Sequence, residues 1–194
     1  KKNFTKKGLA TMVIITLLPH MVFAASLSFE DVSENYKYKE AIEGLAEKKV
    51  INGYPDGTFK PQKLVNRAEF LKIALIGSEI QVNENGETKF KDVNAKAWYA
   101  KYVRKALEEK WVQGYPDETF KPEQNVTKAE ALKMLGMIQD WNLPKKIIEK
   151  PFQDVPLQQW FTPYIAYAKE KNIIEKNKKF FLPAGLLNRG QTSG

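Results

Sequence analysis

Apolar and polar positions follow a helical period through most of this chain. Trp98, Tyr99, Tyr102, Val103, Ala106 and Leu107 recur at three- and four-residue steps, with charged Lys101, Lys105 and Glu108 between them. That is the pattern of an amphipathic helix with one buried face. Tyr38, Ala41, Ile42, Leu45 and Ala46 trace the same face earlier in the chain, and Phe161, Tyr164, Ile165 and Ala168 trace it again later. Each of these helices is expected to stop before a turn segment. In the first case this is Gly53-Tyr54-Pro55-Asp56, whose glycine suits a C-cap and whose proline suits a turn. A loop carrying Phe59 or Phe120 then leads into a second helix. Asn66-x-x-Glu69, Thr127-x-x-Glu130 and Asn188-x-x-Gln191 announce its start, since each can close a capping box. The fold class predicted is mainly α, built from helix-loop-helix units.

The first residues read differently. Residues 1–7 are basic, Gly8 to Leu18 are apolar, and Pro19 precedes Val22-Phe23-Ala24. This is the layout of an export signal over residues 1–24, cleaved after Ala24. A bilayer span needs roughly 20 apolar residues, more than this run supplies, and the rest of the chain has no other run of spanning length.

Removing the signal changes the charge balance. The 194 residues hold 31 Lys+Arg against 23 Asp+Glu, a formal +8, with no cysteine and one histidine, His20. Lys1, Lys2, Lys6 and Lys7 leave with the signal and no acid does, so 27 bases face 23 acids and no histidine remains. Thiolate and imidazole chemistry are thereby excluded from the exported part, both as nucleophilic catalysis and as metal ligation. No cofactor or metal is expected. A modest basic excess spread along the chain argues against nucleic acid, which calls for a concentrated patch.

The chain is triplicated. Phe29-Glu30-Asp31-Val32 recurs as Phe90-Lys91-Asp92-Val93 and as Phe152-Gln153-Asp154-Val155, at intervals of 61 and 62 residues. Gly53-Tyr54-Pro55-Asp56-Gly57-Thr58-Phe59-Lys60-Pro61 recurs as Gly114-Tyr115-Pro116-Asp117-Glu118-Thr119-Phe120-Lys121-Pro122, and only Phe181-Leu182-Pro183 survives of it in the third copy. Units are expected at 29–78, 90–140 and 152–194, the last one incomplete. The sequence begins with Lys and stops inside an expected helix, so it reads as part of a longer polypeptide.

One feature of the repeats carries chemistry. Arg67, Lys128 and Arg189 each open a second helix, where the macrodipole disfavours a cation by about 0.3–1 kcal/mol. A base repeated there suggests something negative opposite it, the alternatives being a solvated surface charge or a salt bridge to a neighbouring repeat. Phe29, Phe59, Phe90 and Phe120 read as core.

These blocks resemble the S-layer homology repeat over nearly the whole exported part, most closely in copies one and two. The resemblance implies three repeats in a pseudo-threefold helical unit with the last one truncated. It implies non-covalent anchoring of a bacterial surface protein to a peptidoglycan-linked secondary cell-wall polysaccharide, often pyruvylated, held in grooves between repeats. Other surface-layer subunits are a further partner it allows. Carried onto this chain, Arg67, Lys128 and Arg189 would meet the anion, and Asp31, Asp92 and Asp154 would accept sugar hydroxyls. Trp98, Trp160, Gly53-Tyr54 and Gly114-Tyr115 would meet sugar faces.

The copies depart from one another. Lys37 stands where the others have Trp98 and Trp160, and Lys128 stands where they have arginine. The grooves should therefore be unequal, with Arg67 contributing most. An enzyme is not expected, because a carboxylate pair for glycoside hydrolysis needs two unlike environments and three alike acids follow from triplication. A protein-binding helical scaffold, or the anchor part of a longer surface enzyme, remain as alternatives. The first fits poorly, since such scaffolds repeat at about 34–47 residues.

Overall fold

The computed structural model describes residues 28–84 and 86–194. The expected export signal, with Ala24 and His20, lies outside them. Among the described residues six helices follow in order: α1 Lys39–Glu47, α2 Arg67–Gly77, α3 Ala100–Glu108, α4 Lys128–Ile138, α5 Thr162–Glu170 and α6 Arg189–Ser193. They form three helix-loop-helix units. Among the described residues the only strand-like pairings are three isolated antiparallel bridges, Leu64 with Asn188, Asn66 with Asn125, and Thr127 with Leu186.

The second helices start as their sequences dictate. Asn66, Thr127 and Asn188 each accept the N3 backbone N–H, and the side chains of Glu69, Glu130 and Gln191 each reach back to the N-cap N–H. All three capping boxes are closed, which satisfies two orphan donors at each helix start.

The first helices end differently from the expectation. α1 finishes at Glu47 and the chain turns left-handed at Lys49 (φ 57°), with Lys110 (62°) and Asn172 (59°) doing the same after α3 and α5. The Val50 N–H reaches the Leu45 carbonyl, and the Lys49 N–H reaches that of Ala46. This is a Schellman-type cap built on a lysine. Gly53 and Gly114 are therefore not C-caps. A Cβ at Gly53 would overlap the Phe29 ring, and one at Gly114 would overlap that of Phe90. These glycines let a core phenylalanine lie against the loop backbone.

The repeats then interlock. Each second helix packs on the first helix of the following unit, α2 on α3, α4 on α5 and α6 on α1, while α2 also packs on α4. At the centre the Val65 N–H donates to the Leu187 carbonyl (3.0 Å), Leu187 to Val126 (3.1 Å) and Val126 to Val65 (3.0 Å), closing a ring of three bonds. Helix starts are served across the same junctions. The Arg67 and Ala68 N–H groups reach the Gln124 and Pro122 carbonyls, Lys128 and Ala129 reach Gly185 and Pro183, and Arg189 and Gly190 reach Lys63 and Pro61. The pseudo-threefold arrangement thus rests on backbone bonding as well as on side-chain packing. Leu71, Leu75, Val103 and Phe120 form the middle of the largest core cluster. Smaller clusters surround Ile42 and Phe59, and Ile165 and Val155.

Candidate functional site

The three aspartates at the head of the repeats each turn toward a loop of their own repeat. Asp31 accepts the Phe59 and Lys60 N–H groups, both at 2.7 Å. Asp92 accepts those of Phe120 (2.8 Å) and Lys121 (2.7 Å), and Asp154 accepts those of Phe181 (2.9 Å) and Leu182 (2.7 Å). Each carboxylate is a clamp that fastens the loop before the second helix to the head of its own repeat. Two successive N–H groups aimed at one carboxylate also account for the left-handed Lys60, Lys121 and Leu182, with φ of 57°, 58° and 62°. Beside the expected role as hydroxyl acceptors, these aspartates thus carry a structural one. They do not cap the first helices, whose N-caps are Tyr38, Tyr99 and Phe161.

The bases at the helix starts cross to the next repeat. Arg67 Nε donates to the Phe120 carbonyl at 2.9 Å, Arg189 Nε to that of Phe59 at 2.8 Å, and Lys128 Nζ lies 3.4 Å from that of Phe181. The cation at a helix start is tolerated because it sits among carbonyl oxygens of the neighbouring loop.

Beyond that shared contact the three junctions diverge. Arg67 is buried and its Nη1 bonds Glu130 Oε1 at 3.1 Å, so here the opposing anion is an acid of the next repeat. The same Glu130 oxygen accepts the Tyr115 hydroxyl at 2.9 Å. Burial pushes the Glu130 carboxyl up. Hydrogen bonds from Thr127 and Tyr115, together with the Arg67 charge, outweigh that and hold it below its ordinary value. A cavity of about 220 Å³ opens beside this pair, lined among others by Trp111, Gly114, Tyr115, Lys133, Met134 and Trp160. It brings together Arg67 of the first repeat, Gly114 and Tyr115 of the second, and Trp160 of the third. Arg67, expected to lead in binding, lines this cavity with its charge already met by Glu130.

Arg189 enters the pseudo-symmetric junction beside the first repeat. Its Nη2 bonds the Asn52 carbonyl at 2.8 Å, and among the described residues it makes no ion pair. Tyr54 lies under three cations, with the Lys60 and Lys63 ammonium nitrogens at 4.2 and 5.3 Å from its ring centre and the Arg189 guanidinium at 5.2 Å. Lys63 Nζ also donates to the Tyr54 hydroxyl at 2.9 Å.

The third junction is wider, about 740 Å³, with Lys37, Lys128, Lys178, Phe70, Leu132 and Leu135 among its walls. Lys37, in the place of the tryptophans, pairs with Glu175, which also pairs with Lys178. Burial, and then the nearby Lys178 charge, push the Lys128 ammonium down from its ordinary value.

A family model for the S-layer homology domain matches residues 28–71, 89–132 and 151–193. The chain belongs to the S-layer homology family. It is 31% identical over 141 residues to the Cellulosome-anchoring protein of Acetivibrio thermocellus, covering 70% of this chain and 31% of that protein. It is 31% identical over 166 residues to S-layer protein EA1 of Bacillus anthracis, covering 82% of this chain and 19% of that protein. It is 27% identical over 192 residues to Exoglucanase XynX of A. thermocellus, covering 93% of this chain and 17% of that protein. The alignments thus span from about a sixth to under a third of these relatives' length.

In the S-layer homology repeats seen here, Trp98 and Trp160 stand half-exposed, 51% each, so their faces are open to a ligand. Lysines accompany them: Lys72 lies 5.9 Å from the Trp98 ring centre and Lys133 lies 5.4 Å from that of Trp160. Sequence reasoning passed over this pair, although the 61-residue interval relates Lys72 to Lys133 as it relates Gly53 to Gly114. It also passed over Lys63, which has no basic counterpart at Gln124 or Gly185 and so leaves no repeat signal.

Proposed function

We propose that this chain is a non-enzymatic anchoring module that holds an exported bacterial surface protein to the cell wall by binding a peptidoglycan-linked secondary polysaccharide, pyruvylated or otherwise acidic, between its repeats. A secreted, surface location follows from the family, and among the described residues no helix is long and apolar enough to cross a membrane. The observation that carries the reading is the groove beside Tyr115. There a half-exposed tryptophan, a tyrosine, backbone and two bases, drawn from three repeats, meet around one cavity, a combination suited to a sugar face and its hydroxyls. The absence of catalysis is supported by the aspartates, since each is held by two N–H groups of its own loop and none stands in an environment unlike the others.

Similarity to both an anchoring protein and an exoglucanase favours a module that serves different passengers. We take it as the anchor part of a longer polypeptide. The test is sedimentation with peptidoglycan sacculi before and after acid stripping of the attached polysaccharide. The chain should pellet with intact sacculi and stay in solution with stripped ones. Equal pelleting with both would refute the polysaccharide as its partner.

A further inference from the structure

We propose that the two arginine-bearing grooves divide the ligand between them: the Arg189 groove takes a carboxylate-bearing sugar, and the Arg67 groove takes a neutral one. This rests on the polysaccharide reading above and adds which groove reads the charge.

The two grooves share a plan and differ in how their donors are used. In the Arg67 groove, Glu130 consumes both the guanidinium Nη1 and the Tyr115 hydroxyl proton. An incoming carboxylate would have to displace an internal one that is already bonded and partly buried, and would face its charge. Aromatic and apolar surface remains, from Trp160, Trp111 and Met134, which suits a sugar ring without net charge. In the Arg189 groove, Glu69 occupies the position of Glu130 but makes no ion pair with Arg189 within 4.0 Å. The Tyr54 hydroxyl accepts from Lys63 and so keeps its own proton to donate.

The loop charges reinforce the difference. Lys63 corresponds to Gln124, and Gln62 to Glu123, so this stretch of the Arg189 groove has one more positive and one fewer negative charge than its counterpart. Position 62/123 belongs to the junction in both cases, because Asn188 Nδ2 bonds Gln62 and Asn66 Nδ2 bonds Glu123, each at 3.1 Å.

The protein supplies its own control for altering Glu130. In the third repeat the N3 position is Gln191, and the capping box is closed there as it is with glutamate. Glu130→Gln should therefore keep the helix start and release Arg67.

The test is a titration of the full chain with two probes, an N-acetylhexosamine bearing a 4,6-pyruvate ketal and the same sugar unmodified, at low and moderate salt. Lys63→Gln, an exposed change that copies the other groove, should weaken ketal binding about five-fold and reduce its salt dependence, leaving the neutral sugar unchanged. Glu130→Gln should strengthen ketal binding by a similar factor, and Trp160→Ala should weaken the neutral sugar selectively. Ketal affinity unmoved by Lys63→Gln or by Glu130→Gln would overturn the division, as would both sugars changing in parallel. Those results, with the unaltered chain still pelleting on intact sacculi, would overturn the division alone. A chain that binds neither sugar nor sacculi would remove the polysaccharide reading along with it.

Discussion

The junction between the first and second repeats and the junction that closes the third onto the first use the same backbone plan with opposite side chains. At the first, α2 presents Phe70 and Leu71, both buried, to a core shared with Val103 and Phe120. At the closing junction the equivalent residues of α6 are Thr192 and Ser193, whose hydroxyls bond the helix's own carbonyls of Asn188 and Arg189 at 2.9 Å. Where Ala68 and Ala129 lie buried at the other helix starts, α6 has Gly190, because the Tyr36 hydroxyl of the first repeat fills the space of a Cβ. Burial of apolar side chains holds the first junction. The closing one relies on backbone bonds, Arg189 and a tyrosine seated on a glycine. One topology can thus be stabilised by two different forces, and they should respond differently to substitution.

Leu71→Ala should show the largest effect, a loss of about 3 kcal/mol in urea unfolding, since it empties a fully buried site. A loss no larger than that from a surface change would break the contrast. Removing a clamp with Asp92→Ala should cost about 2 kcal/mol, because two backbone donors lose a charged acceptor. The same change at Asp154 tests whether the clamps are equivalent where the cores are not. Gly190→Ala should cost about 1–2 kcal/mol by overpacking at the closing junction, and Tyr36→Phe in the same chain should recover part of that loss by removing the nearest atom. An equal cost in both backgrounds would show that Tyr36 is not what excludes the Cβ.

The smallest effect concerns pH. The Glu130 carboxyl is depressed in the folded protein, so its stabilisation is complete above its unfolded value and is lost as pH falls through the folded one. The drop in unfolding midpoint between neutral and acidic pH should accordingly be smaller in Glu130→Gln than in the unaltered chain.

Whatever is local or repeated can be read from the amino-acid order of this chain. Capping boxes span three residues and helical faces span a few turns, so both are legible in the residues themselves. The repeat interval supplies the three-unit order. The aspartate clamps escape such a reading because their partners are backbone N–H groups about 28 residues away, which have no identity in the sequence. The ends of the first helices depart from expectation because a left-handed lysine takes the place expected of glycine. All three bases at the helix starts meet a carbonyl oxygen of the next loop, and among the described residues only Arg67 of the three pairs with an acid. That the partner of Arg67 is Glu130, 63 residues on, is a fact of assembly that neither local pattern reveals.

The ring formed by Val65, Val126 and Leu187 has a consequence for copy number. Each member gives one N–H to a neighbour and takes one from the other, so the circuit is complete with three and leaves nothing over. A deletion of one copy would strand a donor and an acceptor at the axis, and a fourth copy could enter only by breaking a bond already made. The central backbone thus acts as a counter: the module is a unit of three, and any lengthening of such a protein has to be added outside the circle.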